Sequence, residues 1–178
     1  MCGYDGGGIV HFNNEEALKE IKLTKGKVAL VDDEDYEYLN QWKWHTQITT
    51  NSDVLYATRD TKVSGNKSKV LMHRQIMKVN DRNILIDHID HNGLNNTKAN
   101  LRPCTKRQNQ KNMKSHRDSS SKFVGVGWRA NRNKFRARIF DGKEICIGHF
   151  TSEIEAALAY NEAAKRIHGE FANLNKVA

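Results

Sequence analysis

The segment from Asn83 to Asn109 carries the side chains of this chain that are best suited to chemistry. It begins as an apolar run and continues at once into Asp87 and His88. A histidine titrates near neutral pH and can take a proton from water. The side-chain oxygens of Asp87 and Asn109 suit magnesium or manganese better than zinc, and two such protein ligands leave coordination positions for water and phosphate. These are the parts that hydrolysis of a phosphodiester bond requires.

Three short elements are predicted to position these side chains. Residues 83–88 read as a strand, and residues 101–104 read as the returning strand of a hairpin. Thr105 and Gln108 form the T-x-x-Q pattern that opens a helix. Asn109 then lies in the first helical turns, where it can point back at the hairpin. Turn and loop-capping roles are predicted for three polar residues between the strands, Asp90, Asn95 and Asn96.

Positive charge is concentrated in the second half of the chain. The formal net charge is +8, and the stretch from Arg102 to Arg138 holds twelve Lys or Arg against one acidic residue, Asp118. Aromatic residues, including Phe123 and Trp128, are interleaved with these cations. This combination favours a polyanionic partner, whereas a solvated face or a disordered basic arm is the alternative.

Composition excludes several classes of protein. The three cysteines are widely separated, which indicates neither a disulfide framework nor a Cys-x-x-Cys zinc site. No apolar stretch approaches the roughly 18 residues of a membrane span. We therefore expect an intracellular protein without a membrane partner, in the cytoplasm of a bacterial host if the gene belongs to a phage.

The N-terminal region is predicted to be a mixed α+β scaffold without chemistry of its own. Its predicted strands are residues 27–31, the alternation around Trp42 and Trp44, residues 56–59 and residues 69–72. Asp32 is predicted to cap a helix that continues to Asn40. For His73 we favour packing or hydrogen bonding near the hairpin over a chemical role.

The C-terminal region is predicted to be a three-stranded antiparallel sheet packed on one helix. The strand-like segments are residues 123–129, 134–140 and 144–150. A helix begins at Ser152, with Glu155 completing a capping box, and ends at Gly169. Four residues are predicted to lie near one face of this helix, namely Ile154, Ala157, Leu158 and Ile167.

Alternation along the middle strand of this sheet separates two faces. Three apolar side chains are expected to face the helix, namely Phe135, Ala137 and Ile139. The opposite face is expected to carry Arg136, Arg138 and Phe140. A basic face of this kind suits contacts with phosphates and base edges.

The spacing of Asp87-His88, Asn100 and Asn109, with Met72-His-Arg74 upstream, resembles the HNH endonuclease family, in particular its phage-type homing endonucleases. The resemblance implies a ββα-metal core over residues 83–112. It implies that His88 is the general base and that Asp87 and Asn109 hold the divalent metal, magnesium or manganese. It also implies that Asn100 bonds across the hairpin loop to hold His88 in position. One departure is His91, where similar proteins usually have glycine.

Residues 121–175 resemble the Apetala-type domain of plant ethylene-response factors, for example in Ser121-Lys-Phe-Val-Gly-Val126. The resemblance implies that the sheet lies in the major groove with the helix behind it. Val124, Gly127 and Cys146 depart from the plant pattern, so the plant target sequence is not inferred. The residues predicted to contact DNA are Trp128, Arg129, Arg132, Lys134, Arg136 and Arg138, together with Arg102 and Arg107.

These patterns together predict a site-specific endonuclease that acts on double-stranded DNA. The predicted domains are a scaffold and nuclease over residues 1–112, a basic linker over 113–122 and a DNA reader over 123–178. One active centre cuts one strand, so a monomer is expected to nick; the sequence leaves the oligomeric state open. The main alternative is a non-catalytic, sequence-specific DNA-binding regulator on a nuclease-derived scaffold, and an RNA-directed protein is a third interpretation.

Overall fold

The computed structural model of the chain describes residues 17–49, 54–113 and 119–177. Backbone contacts divide them into two units. The first unit contains the described residues up to Lys78 together with Asp90–Asn100, and the second contains Val79–Ile89 with the described residues from Leu101 onward. Helices and small antiparallel sheets occur in both, which confirms the predicted α+β class. In the described residues no helix is long and apolar enough to cross a membrane.

The first unit is built from two antiparallel sheets and two short helices. Its elements are β1 (Leu18–Lys22), β2 (Val28–Asp32), α1 (Asp33–Leu39), β3 (His45–Ile48), β4 (Leu55–Val63), β5 (Asn66–Leu71) and α2 (Met72–Ile76). Strand β1 pairs with β2, and β4 lies between β3 and β5. The buried side chains include Ile21, Val31, Leu39 and Met72.

Two predictions for this unit are wrong in detail. Asp32 precedes α1 as predicted, but its side chain makes no capping bond, because Oδ2 accepts the backbone amide of Lys98 at 2.7 Å. The alternation around Trp42 and Trp44 is not a strand, since β3 begins only at His45. The Trp44 indole instead donates to the carbonyl of Leu39 at 2.8 Å, so this aromatic side chain closes the end of α1.

The second unit contains a hairpin, a short helix and the C-terminal sheet with its helix. Its elements are β6 (Leu85–His88), β7 (Leu101–Cys104), α3 (Lys106–Lys111), β8 (Val126–Arg129), β9 (Lys134–Phe140), β10 (Glu144–Phe150) and α4 (Glu153–His168). Strand β9 is the central strand of the three-stranded sheet. Residues 114–118 of the predicted linker lie outside the described residues, so the domain boundary there stays a prediction.

Helix α4 packs on the sheet through alanines. Ala137 and Ile139 of β9 are buried against it, which confirms the predicted helix-facing side of the sheet. The buried residues of α4 are Ala156, Ala157, Tyr160, Ala163, Ala164 and His168. Ile154 and Leu158 are 47% and 50% exposed, so the predicted apolar face is wrong for both. Small side chains let the helix approach the strands closely, and this contact outweighs the burial of the larger residues.

Gly125 provides a sharp test of this packing. Its φ is 73°, and a Cβ built there would lie 2.2 Å from the Tyr160 ring and 2.5 Å from the Arg138 carbonyl oxygen. We expect Gly125→Ala to destabilise the second unit by about 3 kcal/mol, because backbone strain and steric overlap act together. Gly142→Ala is the matched control, since its φ is 77° but the nearest atom is 3.5 Å away. Thermal unfolding that ranks the two variants equally would contradict the packing.

Candidate active site

The β6–β7 hairpin places Asp87 and His88 at the end of a strand. Antiparallel pairing sets Asp87 opposite Arg102 and His88 opposite Leu101. Both Asp87 and His88 are buried. The structure therefore forms the two predicted strands and places the acid and the histidine as consecutive residues at the strand end.

The carboxylate of Asp87 is held by two side chains. Its Oδ2 accepts hydrogen bonds from Arg102 Nε at 2.9 Å and Nη2 at 2.7 Å. Asn112 Nδ2 lies 3.0 Å from each carboxylate oxygen and also donates to the His88 carbonyl at 3.3 Å. Asn112 thus ties the side chain of the acid to the backbone of the histidine.

Arg102 has its other contacts in the C-terminal segment of the same unit. Its Nη1 donates to the carbonyl of Glu170, and its guanidinium lies 4.3 Å from the centroid of the buried Phe171 ring. Only 14% of the Arg102 side chain is exposed. The arginine predicted to contact DNA is therefore occupied by a carboxylate, a carbonyl and an aromatic face, and this is the arrangement that a buried guanidinium needs.

Helix α3 carries Asn109 and packs against both strands of the hairpin. Thr105 and Gln108 form the predicted capping box in both directions. The side chain of Asn109 makes no hydrogen bond within the described residues. Asn112, which follows the helix, was not predicted; it lies three residues after Asn109, which is about one helical turn, and this spacing is the signal that identifies it.

The loop between β6 and β7 is braced by Asn100. Its Oδ1 accepts the backbone amide of Asp90 at 3.0 Å, and its Nδ2 donates to Asp90 Oδ1 and to the Asn95 carbonyl at 2.9 and 2.8 Å. Asn100 thereby fixes the backbone two residues after His88 in the chain. His91, where the sequence resemblance leads one to expect glycine, has a φ of 62°, a conformation that favours glycine.

His73 is a packing residue in the first unit. It is buried, and its ring meets Tyr56 edge to face at a centroid distance of 5.5 Å. This agrees with the packing role that the sequence favoured.

Asp87 and Asn109 carry side-chain oxygens, the donor type that a hard divalent cation prefers. Oδ1 of Asp87 accepts one hydrogen bond, from Asn112, within the described part of the chain, so it retains lone-pair capacity. The Asn109 amide oxygen is equally unengaged there. Residues 17–49, 54–113 and 119–177 contain no group of three His, Cys, Asp or Glu side chains able to hold a metal.

The exposed face of the C-terminal sheet carries three of the six arginines predicted to contact DNA, together with Lys134. The strand register places Lys134, Arg136 and Arg138 on one face, with Arg129 opposite Lys134. Glu144 forms ion pairs with Arg136 and Arg138. The hydrogen bond from Arg138 holds the pKa of the Glu144 carboxyl below its usual value. One acidic side chain therefore partly neutralises the two central arginines.

The pKa of a histidine on this face is lowered in part by the positive charges around it. His149 is the ladder partner of Arg136. Burial lowers its pKa, and the nearby charges of Arg132, Arg136 and Lys134 lower it further.

Two other residues predicted to contact DNA lie elsewhere. Trp128 is the ladder partner of Phe135 and meets it edge to face at 4.8 Å, so it belongs to the helix-facing side of the sheet, where it is 38% exposed. Arg107 on α3 pairs with Asp141 at 3.1 Å. The hydrogen bond from Lys111 lowers the pKa of Asp141, and Arg107 lowers it further.

Comparison with known proteins adds two relatives. No protein-family model matches the chain. The chain is 31% identical over 159 residues to an uncharacterised HNH endonuclease of Acanthamoeba polyphaga mimivirus, covering 86% of this chain and 77% of the relative. It is 32% identical over 90 residues to protein 3.8 of Escherichia phage T7, covering 49% of this chain and 72% of that protein. The first alignment is long enough that it must include the hairpin in the middle of the chain.

Proposed function

The chain belongs to the HNH endonuclease family, and on this premise we propose that it hydrolyses phosphodiester bonds of double-stranded DNA at the β6–β7 hairpin. His88 is the general base, and Asp87 with Asn109 holds a divalent cation, magnesium or manganese. The observation that carries the proposal is the burial of Asp87 and His88 at the end of β6, with the Asn109-bearing helix packed on the same hairpin.

Each residue has a separate task in this proposal. The His88 imidazole takes a proton from the attacking water. The cation, when bound, neutralises charge on the scissile phosphate and on the departing oxygen. Arg102 and Asn112 are positioning residues, because Arg102 binds Oδ2 of Asp87 and Asn112 donates to both carboxylate oxygens, while Oδ1 accepts only that one hydrogen bond within the described residues. Asn100 keeps the loop after His88 in one conformation.

Site selection is assigned to the C-terminal sheet. Its exposed face presents Arg129, Lys134, Arg136 and Arg138, which suit phosphates and base edges. Arg132 lies in the exposed turn between β8 and β9. The Apetala-type resemblance of residues 121–175 belongs to this proposal, and the antiparallel sheet backed by α4 supports it. A single hairpin cuts one strand, so the expected product of a monomer is a nick.

Glu144 is expected to weaken the binding of DNA to this face of the sheet. Because it pairs with Arg136 and Arg138, Glu144→Gln is expected to release both guanidinium groups and to lower the Kd for duplex DNA roughly threefold. Glu162→Gln is the matched control, since Glu162 pairs with Lys165 on α4. Fluorescence anisotropy at one fixed salt concentration measures both. Equal affinities for the two variants would contradict a DNA-facing role of this face.

The proposed activity is tested with supercoiled plasmid. Incubation with magnesium should convert the plasmid to open circles, and a chelator should stop the conversion. If the protein leaves plasmid intact under every condition but retards it in a gel, the nuclease proposal fails and a non-catalytic regulator takes its place.

A further inference from the structure

A two-stranded ribbon projects from the sheet of the first unit. Strand β3 pairs with β4 only over Leu55–Thr58, so the remainder of β4 is paired with β5 alone. Every residue from 62 to 69 is exposed. The turn at its tip has positive φ at both central residues, Ser64 at 50° and Gly65 at 82°, as in a tight primed hairpin turn.

One face of this ribbon is basic. Ladder partners share a face, and the register pairs Lys62 with Lys67 and Asp60 with Lys69. The face therefore carries three lysines against one acid. Lys69 donates to Gln47, and Asp60 lies 3.6 Å from His45. Lys62 and Lys67 make no ion pair within the described residues.

The pairing of Lys62 with Lys67 is unfavourable for the isolated ribbon. Like charges directly opposite each other in an antiparallel pair repel and destabilise it. A polyanion laid along this face would remove the repulsion. Arg59, at the base of the ribbon, is excluded from this role, because it stacks 4.4 Å from the Trp42 ring and bonds to Gln75.

We propose that the ribbon over residues 59–70 is a second DNA-binding element, whose lysine face contacts the phosphates of duplex DNA. This inference rests on the proposed function only for the choice of DNA as the polyanion. A two-stranded ribbon has the width that the major groove admits. Contacts from lysines to phosphates add affinity without reading sequence.

The test compares two sets of lysines on the same unit. The ribbon variant carries Lys62→Gln, Lys67→Gln and Lys69→Gln. The control variant carries Lys22→Gln, Lys25→Gln and Lys27→Gln. It removes the same charge, and its three lysines are exposed and make no ion pair in the described residues. Binding of a labelled duplex of arbitrary sequence is measured across salt concentrations in chelator, so that no DNA is cut. The ribbon variant is expected to bind about tenfold more weakly, with a salt slope shallower by about 2 to 3, whereas the control keeps the wild-type slope.

Several outcomes would overturn the proposal. Equal losses of DNA affinity in the ribbon variant and in the control mean that affinity depends only on the net charge of the protein. An unchanged affinity with new oligomers means that the lysines serve to protect an edge strand from aggregation. A loss of affinity confined to single-stranded RNA means that the partner is not duplex DNA.

One outcome separates this proposal from the proposed function. If the wild type never cuts plasmid while the ribbon variant still loses affinity for duplex DNA, the nuclease proposal fails and the ribbon proposal stands.

A second variant separates binding from folding. Lys67→Glu places an acid opposite Lys62 and replaces repulsion by attraction. The Tm is expected to stay equal or rise at low salt, while DNA affinity falls. A lower Tm together with lower affinity would assign the effect to folding and overturn the proposal.

Discussion

Replacing His88 with alanine is expected to slow plasmid nicking about a thousandfold, because the general base is lost while the rest of the site is retained. The contact that Asn112 makes with this residue is to its backbone carbonyl, which alanine preserves. Affinity for DNA should therefore stay near the wild-type value, whereas loss of the buried imidazole should lower the Tm, so nicking is compared well below both unfolding transitions. Single-turnover nicking, gel retardation and thermal unfolding measure the three quantities on the same preparations.

A nearby histidine supplies the control for this variant. His91→Gly removes an imidazole three residues away and places glycine at a φ of 62°, which glycine favours. Its nicking rate should match the wild type. A wild-type rate in His88→Ala, or an equal loss in His91→Gly, would remove His88 from the proposed role.

Replacing Arg102 with methionine is expected to destabilise the second unit by about 3 kcal/mol, because it leaves the Asp87 carboxylate buried without its cation. The same change removes the contacts that join the hairpin strand to the Glu170 carbonyl and the Phe171 ring. Chemical denaturation measures the loss. A variant as stable as the wild type would mean that this network does not hold Asp87.

A double variant separates stability from activity at the same site. Asp87→Asn combined with Arg102→Met removes both charges and keeps an amide where Asn112 bonds, so stability should return to within about 1 kcal/mol of the wild type. The double variant should not nick plasmid, because Asp87, the proposed anionic ligand of the cation, is replaced by a neutral amide. Recovery of nicking in the double variant would show that Asp87 does not hold the cation.

Local patterns in the sequence predict the hairpin and the helix that follows it, but not the partners of the acid. Strand period, the T-x-x-Q cap and residue spacing are short-range signals, and the structure forms both strands and the capping box from them. The pairing of Asp87 with Arg102 depends on the hairpin register, and the register depends on how the 12-residue loop over residues 89–100 folds. The stacking of Arg102 on Phe171 joins residues far apart in the chain and has no local signal.

In the fold too, local patterns predict some elements correctly and fail where a tertiary contact decides the structure. Strands β9 and β10 have the predicted bounds; alternation continues along the whole of β9, whereas the register of β10 shifts between Cys146 and Gly148. Trp42 and Trp44 also alternate with polar residues, but the indole of Trp44 bonds to the Leu39 carbonyl, and this contact overrides the strand pattern. On α4 the prediction is right for Ala157 and Ile167 but wrong for Ile154 and Leu158, because close packing on the sheet selects alanines.

The most direct measurement is single-turnover nicking of supercoiled plasmid as a function of magnesium concentration, for the wild type and for His88→Ala. The wild type should show no nicking without magnesium and a rate that rises to a plateau. His88→Ala should keep the same magnesium midpoint and reach a plateau about a thousandfold lower, because the base is removed and the oxygen ligands remain. Nicking by the wild type without any divalent cation, or a wild-type plateau in His88→Ala, would contradict the account.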